Sequence, residues 1–177
     1  MIQLAPDQTL KLTTSSRGGP VNSEVTVAMS GLPPKLPLIL GFGSLAAHEL
    51  IHYGETDEQG AISAAVKVPY WAEVDGIHLF FYAFADQRPR GFADPFHVTA
   101  PDGTATVTGT INADGMSCLG LTRPPPRVGG EETLYTLQGA GNWAPGARVS
   151  VVGTISGGPS CSGQGIPIFV REIKQLL

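Results

Sequence analysis

The sequence predicts an all-β protein in which an antiparallel sandwich precedes a five-stranded Greek-key barrel. The 23 glycines and 15 prolines among 177 residues interrupt the chain too often for long helices. Short apolar segments recur about every 8–14 residues with turn residues between them, which is typical of antiparallel β-proteins. Because 42% of the residues are hydrophobic and only 15% are charged, the composition is that of a folded chain.

Seven segments before residue 100 are predicted to be strands. Val25 and Val27 alternate with polar residues, which predicts one buried face for residues 24–30. Residues 77–85 are almost continuously apolar, which predicts the central and most buried strand. Residues 56–60 predict a turn that ends in a glycine with positive φ. The seven predicted strands are 9–14, 24–30, 36–42, 49–54, 61–69, 77–85 and 92–99.

Five further segments follow a short cluster of turn residues at 99–104. They predict a small Greek-key barrel of the oligomer-binding (OB) type, because that fold contains five strands. The turn cluster therefore predicts two domains, 1–100 and 104–177. The five predicted strands are 105–112, 118–123, 132–139, 147–155 and 166–174.

A short repeat supports closure of the barrel. Val107-Thr-Gly-Thr-Ile111 recurs as Val151-Val-Gly-Thr-Ile155. We expect the first and fourth barrel strands, which carry the two copies, to pair with each other. Gly109 and Gly153 are expected to mark the points where the sheet coils sharply.

Both halves resemble known families. The first half resembles bacterial immunoglobulin-like (Ig-like) repeats in Val25-Thr-Val-Ala-Met-Ser-Gly-Leu-Pro-Pro34, Thr56-Asp-Glu-Gln-Gly60 and Val66-Lys-Val-Pro69. This resemblance implies an extracytoplasmic module that spaces or presents other domains. The second half is similar to small two-cysteine OB-type bacterial domains, with matches at Val107–Ile111, Cys118, Leu134-Tyr-Thr-Leu-Gln-Gly139, Pro145-Gly-Ala-Arg-Val149, Val152-Gly153 and Cys161. Neither resemblance supplies catalytic residues.

The chain has two cysteines, Cys118 and Cys161, in polar and glycine-rich surroundings. They are either unrelated thiols or a disulfide. The OB resemblance implies a disulfide, because it places them in two loops that flank one ligand-binding face. Closing a loop of about 44 residues would stabilise the barrel by about 4 kcal/mol. A disulfide favours an oxidising compartment, so we expect a secreted, periplasmic or cell-surface protein, although residues 1–12 lack the pattern of a signal peptide.

Charge and hydropathy exclude two classes of partner. The net charge is −4, and neither half carries the basic patch that binds phosphates, so no nucleic-acid partner is expected. No apolar run approaches 18 residues, so the sequence predicts no membrane-spanning segment.

The sharpest catalytic motif is His48-Glu49-Leu50-Ile51-His52, which matches H-E-x-x-H. On a helix, His48 and His52 could bind zinc while Glu49 polarises a bound water. However, glycines at 43 and 54 leave room for only a short helix. On a strand, the two histidines would be about 13 Å apart and could not share an ion.

A ligand face on the barrel would use side chains of its second and third strands and adjacent loops. The candidates are Arg123, Tyr135, Gln138 and Trp143, and the ligand would be an oligosaccharide or a peptide. His78 and His97 lie in apolar strands, where we expect partly buried histidines hydrogen-bonded to backbone.

The leading hypothesis is a non-catalytic, extracytoplasmic binding or structural protein without a cofactor. It would act as an assembly or spacer module, with other surface proteins or copies of itself as partners. Two alternatives remain open. One is a ligand-binding OB module, and the other is a zinc-dependent hydrolase that uses His48, Glu49 and His52.

Overall fold

The computed structural model describes residues 10–44, 48–112, 119–125, 131–155 and 165–177. Every regular element in these ranges is a β-strand, which confirms the all-β prediction. None of these residues belongs to a helix long and apolar enough to cross a membrane. The strands are β1 (Thr13–Thr14), β2 (Gly18–Pro20), β3 (Glu24–Met29), β4 (Pro37–Gly43), β5 (His48–Glu55), β6 (Ile62–Lys67), β7 (Ile77–Ala83), β8 (Pro89–Phe92), β9 (Phe96–Thr99), β10 (Thr104–Asn112), β11 (Leu119–Arg123), β12 (Thr133–Gln138), β13 (Arg148–Ile155) and β14 (Ile166–Gln175).

The chain divides into two compact units. The first comprises Met1–Ser15, Asn22–Tyr70 and Ile77–Pro95, and the second comprises Ser16–Val21, Trp71–Gly76 and Phe96–Leu177. The second unit therefore contains two short segments from the first half of the sequence. The division into domains 1–100 and 104–177 stays a prediction.

The first unit contains two sets of antiparallel strands. β3 lies between β1 and β6, while β4 lies between β5 and β7, and β8 pairs with β7. Val25, Val27 and Met29 are buried and alternate with less buried neighbours, as the sequence predicted. The most continuously buried strand is β4, in which six of seven residues are buried, rather than β7. β4 is paired with β5 along one edge and with β7 along the other.

The predicted turn at 56–60 is confirmed by its hydrogen bonds. The Asp57 carboxylate accepts the backbone N–H groups of Gln59 at 2.8 Å and Ala61 at 2.9 Å. Gly60 has a φ of +77°, and a Cβ atom there would lie 1.7 Å from the carbonyl oxygen of Leu32. Only glycine fits this position, because both the backbone conformation and the space exclude a side chain.

The second unit contains a closed five-stranded barrel. Its strands follow the order β10-β11-β12-β14-β13, and β13 returns to β10. All neighbours are antiparallel except β12 and β14, which run parallel. β10 and β13 pair in a register that sets Val107 opposite Val151, so the predicted pairing of the repeated segments is confirmed. β2 and β9 form a short parallel pair in the same unit.

Two glycines allow neighbouring barrel strands to approach closely. A Cβ atom on Gly109 would lie 2.4 Å from the carbonyl oxygen of Thr122 on β11. A Cβ atom on Gly153 would lie 2.2 Å from that of Phe169 on β14, at a bulge in the β13–β14 pairing. Both glycines therefore stand where a side chain would overlap the backbone of the neighbouring strand. The expected sharp coiling of the sheet at these two points stays a prediction.

We predict that Gly153→Ala destabilises the barrel by about 1–3 kcal/mol or more, because the added methyl group overlaps backbone that can move only with its strand. Urea unfolding followed by circular dichroism measures the change. Ser150→Ala, a half-buried position on the same strand, is the matched control. Equal stability of the Gly153→Ala variant and the wild type would contradict the inferred overlap.

Candidate functional site

The second unit contains a partly buried network of four polar side chains. His97 is fully buried, with its Nε2 atom 2.8 Å from Asp75 Oδ1 and its Nδ1 atom 2.8 Å from Tyr135 Oη. A terminal guanidinium nitrogen of Arg123 lies 3.4 Å from the same Tyr135 hydroxyl. The backbone N–H of Thr106 donates to Asp75 Oδ1 at 2.9 Å. The network thus joins barrel strands β10, β11 and β12 to residues outside the barrel.

Backbone hydrogen bonds position the two residues outside the barrel. His97 lies on β9, and its N–H donates to the carbonyl oxygen of Arg17 at 2.9 Å. The N–H of Asp75 donates to the carbonyl oxygen of Val98 at 2.6 Å. Asp75 has a φ of +63°, an unfavourable conformation for most residues but one that aspartate tolerates. The two hydrogen bonds that the Asp75 carboxylate accepts offset the free-energy cost of this backbone conformation.

One set of proton positions satisfies the whole network. An ionised Asp75 can only accept, so His97 Nε2 must carry the proton that it donates. The Tyr135 hydroxyl then donates to His97 Nδ1 and accepts from Arg123. The donors therefore run in one direction, from Arg123 through Tyr135 and His97 to Asp75.

This arrangement fixes the positions of these side chains. Burial raises the pKa of Tyr135 to about 12, which keeps its hydroxyl protonated. Burial also opposes ionisation of Asp75, but the hydrogen bonds from His97 and the Thr106 backbone outweigh it and lower the pKa of that carboxyl. His97 and Tyr135 are both 0% exposed, so neither can reach a substrate in solution.

The predicted ligand-binding residues do not form one open face. Tyr135, one of these candidates, is buried inside the barrel, and its role as a ligand contact stays a prediction. Arg123 is half-buried and joins Tyr135 in the network. Gln138 is half-buried at the end of β12. Trp143 is half-buried in the following loop, where its indole N–H donates to the carbonyl oxygen of Ala140 at 2.8 Å.

Sequence reasoning missed Asp75 and misjudged His97. The His97 ring bonds to side chains instead of backbone, and it is fully rather than partly buried. The dipeptide Asp75-Gly76 was the available signal, because Asp-Gly pairs favour turns with positive φ. The His78 ring packs against Phe42, with ring centroids 4.9 Å apart.

The H-E-x-x-H segment is a strand, because His48–Glu55 forms β5. His48 pairs with Gly43 of β4, whereas His52 pairs with Leu40. Opposite residues in a pair of strands share a face and successive residues alternate, so the two histidine side chains point to opposite faces. The described part of the chain contains no group of three or more His, Cys, Asp or Glu side chains that could hold a metal ion. The geometry required for the zinc site is therefore absent from this segment.

The two predicted disulfide residues, Cys118 and Cys161, lie outside the described residues. Their pairing stays a prediction.

β5 is the last strand of its sheet, and no other described strand is hydrogen-bonded to its far side. The N–H of Thr56 donates to the carbonyl oxygen of Leu36, which fixes the alternation of hydrogen bonds between β4 and β5. Leu38 and Leu40 of β4 therefore bond to their β5 partners, Gly54 and His52. The intervening β5 residues, Tyr53 and Glu55, direct their N–H and C=O groups away from β4.

A bulge changes this alternation near the middle of β5. The register shifts between Leu40 and Gly41 of β4, which leaves Ile51 of β5 as an extra residue. β4 itself continues to alternate, so Phe42 bonds to Glu49. The backbone groups that point away from β4 on this side belong to His48 and Leu50. The edge of β5 that faces away from β4 thus presents residues 48, 50, 53 and 55.

No protein-family model matches this chain, and no curated protein is significantly similar to it. The likeness to Ig-like repeats and OB-type domains therefore stays an expectation from the residues.

We predict that Asp75→Asn reduces the acid sensitivity of the second unit. A carboxyl whose pKa is lowered by folding contributes stability above its unfolded pKa, near 4, and loses it as the pH falls through its folded value. Between pH 6 and pH 2, the wild type should therefore lose more stability than the variant. Urea unfolding at each pH measures the difference, with Glu132→Gln, an exposed position, as the control. The prediction would be contradicted if the free energy of unfolding changed equally with pH in Asp75→Asn and in the wild type.

Proposed function

We propose that this chain is a non-catalytic, extracytoplasmic binding and assembly module that pairs with an extended strand of another polypeptide. The observation that carries the proposal is the far side of β5, where no described strand bonds to backbone groups at Tyr53 and Glu55. A strand added there would extend the sheet through main-chain hydrogen bonds.

The edges of the two units differ in a way that supports this proposal. The closed barrel has no free edge, because each strand pairs on both sides. β8 carries Pro89, which lacks an N–H, and Arg90, which pairs with Asp86. Proline and cationic residues are common protections against unwanted strand pairing. β5 has eight residues with the sequence HELIHYGE and contains no proline, lysine or arginine.

The two alternative functions have less support. An oligosaccharide or peptide site on the barrel would lack its principal aromatic surface, because Tyr135 is buried. The zinc hydrolase needs both histidines on one face, and β5 sends them to opposite faces. We therefore favour binding through the edge of β5.

Hydrogen exchange tests the proposal directly. At a concentration where the protein sediments as a monomer, we expect the amides of Tyr53 and Glu55 to exchange at least tenfold faster than those of His52 and Gly54. The probe is a capped eight-residue peptide of alternating valine and lysine, chosen because β5 is acidic at Glu49 and Glu55. Its addition should slow exchange at Tyr53 and Glu55.

The amides of β8 are the internal control, because Pro89 and Arg90 protect that edge. The peptide should leave their exchange unchanged. The proposal fails if Tyr53 and Glu55 already exchange as slowly as His52 and Gly54 in the monomer, because the edge would then be covered. It also fails if the peptide slows β5 and β8 equally or slows neither.

The extracytoplasmic part of the proposal depends on Cys118 and Cys161. If the protein matures in an oxidising compartment, the native protein should contain one intramolecular disulfide. Intact mass before and after reduction should then differ by two hydrogens, and alkylation of the unreduced protein should modify neither thiol. Two thiols that react without reduction in protein isolated from its source would contradict this assignment.

A further inference from the structure

We propose that the strand which pairs with β5 is β5 of a second copy of this chain. The two strands would run antiparallel about a two-fold axis, with His48 opposite Glu55 and Leu50 opposite Tyr53. This inference rests on the proposed function, because it names the partner for the same edge.

The spacing of the outward backbone groups selects this register. These groups belong to residues 48, 50, 53 and 55, so the intervals along the strand are two, three and two residues. The longer interval comes from the bulge at Ile51. The order of these intervals is the same from either end of the strand. Two antiparallel copies can therefore align the outward backbone groups of all four residues in one register, which sets 48 opposite 55 and 50 opposite 53. The bulges of the two copies would then lie together at the two-fold axis.

The four side chains at these positions also share one face of the sheet. His48 is opposite Gly43, Leu50 is opposite Gly41, Tyr53 is opposite Ile39 and Glu55 is opposite Pro37. The β4 residues in these pairs are all odd-numbered and therefore point to the same side. The ring contact between His48 and Phe81, with centroids 5.6 Å apart, agrees with this placement, because Phe81 pairs with Gly41 on that side.

The proposed cross-strand contacts are chemically complementary. His48 would face a carboxylate that can accept its ring N–H, and Leu50 would face the ring of Tyr53. Polar and aromatic–aliphatic pairs of this kind stabilise neighbouring strands. Leu50 already packs against the cluster of Ile39, Phe81 and Ala83, so the partner's Tyr53 would extend an existing apolar surface. Tyr53 is 67% exposed in the single chain and would lose much of that exposure.

Parallel pairing of the same edges is disfavoured by charge. In register, it would bring Glu49 near Glu49 and Glu55 near Glu55 of the second copy. Like charges on adjacent strands are destabilising. In the antiparallel register, Glu49 instead faces Gly54, and Glu55 faces a histidine.

Sedimentation of the full chain, from micromolar to millimolar concentration, tests the inference. We expect a reversible monomer–dimer equilibrium. Tyr53→Lys should weaken dimerisation at least tenfold, because lysine on an edge strand opposes pairing. Tyr70→Lys is the matched control and should leave the dissociation constant unchanged, since Tyr70 is 80% exposed and lies in a turn rather than on the edge of β5.

A charge reversal tests the register itself. His48→Glu would set two carboxylates opposite each other and should weaken the dimer by tenfold or more. The double variant His48→Glu/Glu55→Lys would restore an opposite-charge pair and should recover the wild-type affinity or exceed it. Both positions are exposed, so unchanged thermal unfolding of each variant should show that the fold is intact.

The possible outcomes separate the inference from the proposed function. A monomer at every concentration overturns self-pairing, while edge protection by the valine–lysine peptide would still support the proposed function. A dimer that is insensitive to Tyr53→Lys overturns the β5 interface. The register is overturned if Tyr53→Lys weakens the dimer but the double variant His48→Glu/Glu55→Lys does not recover the affinity that His48→Glu loses. Only a dimer with both responses supports the inference.

Discussion

A fully buried imidazole must find a hydrogen-bond partner for each ring nitrogen, and this requirement organises the second unit. The partners of His97 are Asp75, from a segment outside the barrel, and Tyr135, from inside it. These residues are far apart in sequence, so the network is complete only when β9, the Asp75 turn and the barrel have all assembled. An incomplete network would leave polar atoms unsatisfied in an apolar interior, which is costly. The network therefore makes assembly of these segments cooperative.

The strands with clear alternation were predictable from the sequence to within about two residues. β3, β6, β10 and β13 have apolar residues at every second position, and one face of each is buried. β2 and β8 were missed because Gly18–Pro20 and Pro89–Phe92 contain residues that disfavour strands. These short segments are extended because β9 and β7, respectively, offer hydrogen bonds to them. Local sequence does not encode such partners.

The site was harder to predict than the fold, because alternation does not say which face of a strand points inward. Tyr135 was a candidate for the ligand face of the barrel, yet its side chain is buried and its hydroxyl is hydrogen-bonded to His97 and Arg123. Asp75 was not among the residues predicted from the sequence. Its importance depends on a partner 22 residues away, and this relation appears only when the chain is folded. The H-E-x-x-H letters were visible in the sequence, but their meaning depends on a helix that β5 does not form.

Because of the bulge at Ile51, the side chains of residues 48, 50, 53 and 55 lie on one face of the sheet. The backbone groups of the same four residues point outward from the edge of β5. In a regular strand, the residues that keep this pattern would be separated by even intervals. The spacing of three residues between Leu50 and Tyr53 therefore depends on the number of residues in the strand and not on their side chains. Sequences that diverge at every exposed position could preserve it, while the loss of one residue would erase it. In the proposed dimer, the spacing of these backbone groups selects the partner strand, whichever side chains that strand carries.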